Sequence, residues 1–148
     1  MEPNPGKVET PQDDVTFKII GVAMAVHNEL GPGFPEEIYR RAMMIGLHAE
    51  DLSYESEYRI DLKFRDKAIG SFDLDFVVAR AVVVELKAVA GLAPVHKQQL
   101  IAFLAASGLS VGLLINFGTA RLETHRVFPP KAIQISPAYQ ARKAAAAE

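Results

Sequence analysis

Phe72-Asp73-Leu74-Asp75-Phe76-Val77-Val78-Ala79-Arg80-Ala81-Val82-Val83-Val84-Glu85-Leu86-Lys87-Ala88 is the stretch that decides the fold. A hairpin turning on Arg80 pairs Val77 with Val83, Asp75 with Glu85, and Asp73 with Lys87. Its other face is then apolar throughout, with Phe72, Leu74, Phe76 and Val78 against Val82, Val84, Leu86 and Ala88. Side chains alternate along a strand, so a slip of one residue would bury the acids; a single register satisfies both faces. Like charges directly opposite one another destabilise a sheet. Partly buried carboxylates are costly unless a cation lies beside them. Asp75, Glu85 and Lys87 therefore form either an ion-paired trio on an exposed sheet face or an oxygen-donor site for a hard divalent cation. Asp73 is read as a partner of Lys87, although a shifted turn would put it in the metal position.

The flanking sequence supplies helices and further strands. Asp13 or Asp14 can cap a helix whose apolar positions Ile19, Val22, Ala23, Val26 and Leu30 follow helical spacing. Gly31-Pro32-Gly33 stops it, and Pro35 suits the first position of a second helix with the inward stripe Tyr39, Ala42, Met43, Gly46 and Leu47. From Tyr54 to Phe64 alternation is strict, which predicts a strand with Tyr54, Tyr58, Ile60, Leu62 and Phe64 on one face. The turn Arg65-Asp66-Lys67 joins it to the Phe72 hairpin as a three-stranded antiparallel meander. Pro94 opens a helix that ends at Ser107 with Gly108 as C-cap. A fourth strand follows at Leu109 to Phe117, and a fifth, edge strand at Leu122 to Phe128. The third helix can cross over so that the fourth strand runs parallel to the third. The class is α+β, with helices packed on a mainly antiparallel sheet. Residues 13–130 read as a single domain between a loose tail at 1–12 and a C-terminal tail at 131–148, whose alanine-rich end is too short for a stable isolated helix.

Composition narrows the function. The 148 residues make one domain of ordinary size, and a net charge of −2 gives no global attraction to nucleic acid, so a phosphate-binding surface must be local. With no cysteine, disulfides, zinc-thiolate centres and thiol nucleophiles are excluded. The Pro-rich, acidic start has no apolar signal core, and no apolar run reaches membrane-spanning length. A cytoplasmic protein with no membrane partner is expected.

Several motifs resemble a known family. Gly33, Glu36 and Tyr39 match the name-giving motif of the GxxExxY proteins, and Val26-His27-Asn28-Glu29-Leu30-Gly31-Pro32-Gly33 looks like that family's VHxxLGPG stretch. Asp75 followed by Glu85-Leu86-Lys87-Ala88 resembles its D-x9-ELKA segment. Val95-His96-Lys97-Gln98-Gln99-Leu100 resembles its H-x-x-Q-L element, and Gly112 to Gly118 its GLLINFG strand. The likeness runs in order from about residue 14 to 128. That family is grouped with the PD-(D/E)XK nuclease superfamily, so the resemblance implies a restriction-endonuclease-like αβββαβ core. It also implies Asp75 and Glu85 as metal ligands with Glu36 nearby, Lys87 as catalytic lysine, and Gln99 orienting the site. The Leu86 carbonyl could be a further ligand. Phe103 stands where the Q-x-x-x-Y element of RecB-like nucleases has tyrosine, so any role of that hydroxyl is missing.

Each of these residues also has a simpler reading. Glu36 and Glu37 suit the positive end of a helix dipole in any protein. Tyr39, one turn on, reads as a core residue whose hydroxyl bonds to a neighbour rather than as an acid. His27 and His96 read as hydrogen-bonded structural histidines; His27 could brace the Gly-Pro-Gly turn, and His96 could reach substrate from one turn before Gln99. Gly31-Pro32-Gly33 lacks the glycine spacing and lysine of a P-loop. With the resemblance, the expected function is a nuclease hydrolysing phosphodiester bonds in nucleic acid, DNA favoured, with Mg2+ or Mn2+ as cofactor. The alternative is a non-catalytic nucleic-acid-binding or self-assembling module that keeps the fold. A third reading is a metal-dependent enzyme acting on a nucleotide or another phosphoester. Exposed sheet edges make a homo-oligomer possible.

Overall fold

The computed structural model describes residues 13–148; the tail expected at 1–12 lies outside the described residues. Helices α1 (Asp13–Leu30) and α2 (Glu36–Ala49) precede strands β1 (Tyr54–Phe64), β2 (Lys67–Val78) and β3 (Val82–Lys87). Helix α3 (Pro94–Ser107) leads to β4 (Val111–Asn116) and β5 (Glu123–Val127), and α4 (Lys131–Gln134) and α5 (Pro137–Ala146) close the chain. The five strands form one sheet in the order β1-β2-β3-β4-β5. β3 and β4 run parallel and the other neighbours antiparallel, with α3 as the crossover. This is the α+β class expected from the sequence, a mainly antiparallel sheet flanked by helices.

Alternating residues of the central strands feed two cores. Val82, Val84 and Leu86 of β3, with Val111, Leu113 and Ile115 of β4, meet Ile19, Val22, Ala23 and Val26 of α1 and Tyr39, Met43 and Leu47 of α2. Val83 and Leu114 point the other way, into a cluster with Leu100 and Leu104 of α3 and Val127. All six β4 residues are buried, as a strand covered on both faces requires. α1 and α2 approach closely because residue 46 is glycine; a Cβ there would overlap the Val22 Cγ1 methyl.

The Arg80 register is the one observed: Val78 pairs with Val82, Val77 with Val83 and Phe76 with Val84. Beyond Phe76 the two strands part. The expected Asp73–Lys87 pairing does not form, because the β2–β3 ladder has already ended at Phe76–Val84; Asp73 keeps only its β1 partner Arg59, and Lys87 only its β4 partner Asn116. The single apolar face also has to be corrected. Phe76 and Val78 lie in the α1/α2 core, whereas Leu74 and Phe72 pack on the α3 side, Phe72 stacking on Phe103 at 4.3 Å. β1 turns over with it, Tyr54 facing one core and Ile60 the other. The twist lies at Glu57, whose φ is 52°, between the pairs Ser56–Phe76 and Tyr58–Leu74.

The C-terminal segment is packed against α3. Tyr139 is buried and donates to the Leu109 carbonyl at 2.9 Å, and Arg142 donates to the Ala105 carbonyl. Gly108 ends α3 at φ 77°, with no room for a side chain beside the Arg142 backbone. Tertiary contact thus holds a helix that is too short to persist alone. Among the described residues no helix is long and apolar enough to cross a membrane.

Candidate functional site

The site lies where β2 and β3 separate. Ladder hydrogen bonds stop after the Phe76–Val84 pair, and the two acids take over the backbone groups so released. The Asp75 amide donates to Glu85 Oε1 at 3.0 Å, and the Leu86 amide donates to Asp75 Oδ2 at 2.8 Å. Each carboxylate is thus fixed through one oxygen by an amide of the opposite strand, and the two carboxyl groups also interact with each other. The amide and carbonyl of a strand residue point the same way. The Leu86 amide faces Asp75, so its carbonyl also faces the gap.

A buried acid beside a half-buried one resists ionisation. Burial, followed by the charge of Asp75, pushes the Glu85 carboxyl up to about 8. Burial also raises Asp75, although the Leu86 amide, Lys87 and Arg40 pull it down. Glu36, at the first position of α2, is raised by desolvation and then by Asp75, with Lys87 opposing. The three carboxylates therefore share one electrostatic neighbourhood, reached from α2, β2 and β3. Lys87 Nζ donates to Gln99 Oε1 on α3 at 3.4 Å.

The remaining expected residues frame this cluster. Tyr39 is fully buried, stacks on Phe117 at 4.6 Å, donates to the Gly31 carbonyl at 2.6 Å and accepts from the Phe34 amide. It ties down the Gly-Pro-Gly turn that delivers Glu36. His27 braces a different loop from the one expected, since its Nε2 bonds to the Thr119 carbonyl at 2.9 Å, beyond β4. His96 Nδ1 accepts from the Ala93 amide at 3.0 Å and so caps α3. Buried Asn116 accepts from the Val89 and Gly118 amides and donates to the Val89 carbonyl and Glu123, clamping the exits of β3 and β4.

Sequence reasoning missed Arg40. Its guanidinium bonds to Glu37 at 2.6 Å and lies 3.2 Å from Glu57, at the point where the β1–β2 ribbon turns over. From there its charge acts on Asp75 and Glu36. The available signal was its position four residues after Glu36, on the same helix face.

Among the described residues no three histidine or acidic side chains converge tightly enough to make a ready-made metal cage. The donor set still fits a small hard cation. Mg2+ is usually held by one or two carboxylates with water and substrate phosphates completing its shell. Asp75, Glu85 and the Leu86 carbonyl offer such a set, and a divalent charge would relieve the repulsion that raises Glu85.

Comparison with known proteins gives the family and the fold. A family model described as the PD-(D/E)XK nuclease superfamily matches residues 13–127. The crystal structure of SSO0001 is similar in fold, with a TM-score of 0.52 and 17% identity over 74% of this chain. The matched part spans 57% of that protein's length. An alkaline exonuclease, LHK-Exo from Laribacter hongkongensis, matches with a TM-score of 0.49 and 10% identity over 94% of this chain and 82% of that one. No curated protein matches.

Proposed function

This chain belongs to the PD-(D/E)XK nuclease superfamily, and on that premise we propose that it hydrolyses phosphodiester bonds in nucleic acid, DNA in preference to RNA, with Mg2+ or Mn2+. The observation that carries this reading is the exchange of carboxylate–amide hydrogen bonds across the opened strands, with Lys87 beside it. Asp75, Glu85 and the Leu86 carbonyl would hold the ion, with Glu36 at the rim. A divalent ion bound there supplies Lewis acidity at the phosphate and lowers the pKa of a bound water. Lys87 sets its ammonium against the charge that develops on the attacked phosphate, and Gln99 fixes its direction. Tyr39, His27 and His96 support the turn, loop and helix end around the site. Membership of the GxxExxY group and a cytoplasmic setting belong to the same proposal.

The test is a cleavage screen over single- and double-stranded DNA and RNA in Mg2+ and Mn2+. Wild-type protein should cleave, and Glu85→Ala and Lys87→Ala should each lose roughly 100-fold or more while remaining folded. Undiminished cleavage by Lys87→Ala would remove that residue from the mechanism.

A second reading is a binding or self-assembling module without catalysis, which the outer edges of β1 and β5, unpaired among the described residues, favour. Calorimetric titration with Mn2+ separates the two. Heat that disappears in Asp75→Ala supports the enzyme, and the absence of heat in wild type supports the module. Self-association would use the sheet edges at β1 and β5.

A further inference from the structure

The β1–β2 hairpin outruns the sheet. β3 leaves β2 after Phe76, so from Asp75 to the Arg65-Asp66 turn the two strands pair only with each other. Residues 63–71 are all exposed, with no buried face. Phe72, stacked on Phe103, anchors the base of this ribbon on α3. Arg65 and Asp66 have φ of 51° and 64°, as in the two-residue turn that matches strand twist. Ile69 is an extra residue between the pairs Leu62–Gly70 and Lys63–Ala68, a bulge that bends the ribbon.

The tip is basic in an acidic chain. Lys63, Arg65 and Lys67 flank one acid in sequence, Asp66, with Lys67 on the Phe64 face and Lys63 on the other, and none of the three makes an ion pair among the described residues; Asp61, at the base, is paired with Arg59. The whole chain has a net charge of −2. Phe64 and Ile69 are 60% and 65% exposed on the same ribbon, Phe64 under the Arg65 guanidinium at 5.0 Å. The ribbon also grows from the strand that carries Asp75. At about 3.4 Å per residue, Lys67 lies about 27 Å from Asp75, roughly the length of eight base pairs.

From this we infer that residues 61–71 form an arm that grips duplex DNA beside the site. The inference rests on the nuclease reading above. A two-stranded ribbon fits the major groove. There Lys63, Arg65 and Lys67 meet phosphates, while Phe64 and Ile69 meet the apolar groove wall.

The test is fluorescence anisotropy with a labelled duplex of about 30 base pairs in EDTA, which suppresses cleavage. The combined variant is Lys63→Ser, Arg65→Asn, Lys67→Ser; asparagine tolerates the left-handed backbone at position 65. An unchanged melting temperature confirms its fold. The variant should bind at least about tenfold more weakly near 0.1 M salt, with the slope of log K against log salt smaller by about 2.7. Wild-type affinity and slope in this variant would overturn the arm and leave the site reading standing. No affinity of wild type for any nucleic acid, in EDTA or with Ca2+ in its place, would overturn both. An equal loss on a single strand of the same length would overturn the duplex assignment. So would a dimer dissociated by Phe64→Ser/Ile69→Ser with DNA affinity intact, which would make the arm a self-association surface.

Discussion

Glu85 couples proton binding to folding. Its carboxyl ordinarily titrates near 4.5 and is pushed up to about 8 here. Below 4.5 both folded and unfolded chains hold the proton, and the folded state carries no penalty. As pH rises, the unfolded chain loses its proton first, so stability falls up to about pH 8 and then levels off. The metal-free protein should therefore melt at lower temperature at pH 8 than at pH 5, by an amount on the order of a few kcal/mol in stability. Glu85→Gln should flatten that dependence in calorimetric scans. If the site takes a divalent ion, binding at pH 7 should release close to one proton, read from heats in buffers of different ionisation enthalpy. Glu85→Gln should release none. An acid inside a run of valines exposes this residue to a reader of sequence. Arg40 was hidden because its target, Asp75, is remote in the chain and close only after α2 docks.

At the scale of elements, delivery of Glu36 depends on the join between α1 and α2. Tyr39→Phe removes a donor to the Gly31 carbonyl and an acceptor for the Phe34 amide, at a cost of about 1–3 kcal/mol. The urea midpoint should fall, and divalent-ion affinity with it if Glu36 contributes to the site. Gly46→Val should cost about 1–3 kcal/mol by forcing α1 from α2, and Val22→Ala in the same chain should recover part of that loss. Element types and most boundaries were legible, because helical spacing, proline and glycine stops, and alternation are local signals. The change of face at Glu57 and Asp75 was not legible. Alternation assumes an unbroken ladder, and here β2 abandons β3 to follow β1.

For the molecule as a whole, the C-terminal helix bears on where the packed unit ends. Tyr139 is buried against α3 and bonds to the Leu109 carbonyl. Tyr139→Ala should cost about 3–5 kcal/mol, as for a buried aromatic side chain, with a melting temperature lower by many degrees. Ending the chain at residue 130 should do the same or prevent folding, whereas a version that melts unchanged would show the helix to be dispensable. By itself the sequence determined the register around Arg80, the α+β order and the meeting of Asp75 with Glu85, since periodicity and charge within one hairpin are short-range properties. Only the tertiary structure decided how those acids are held. Parting strands released two backbone amides, and unpaired buried amides take whatever acceptor stands nearest, which here is a carboxylate from across the gap.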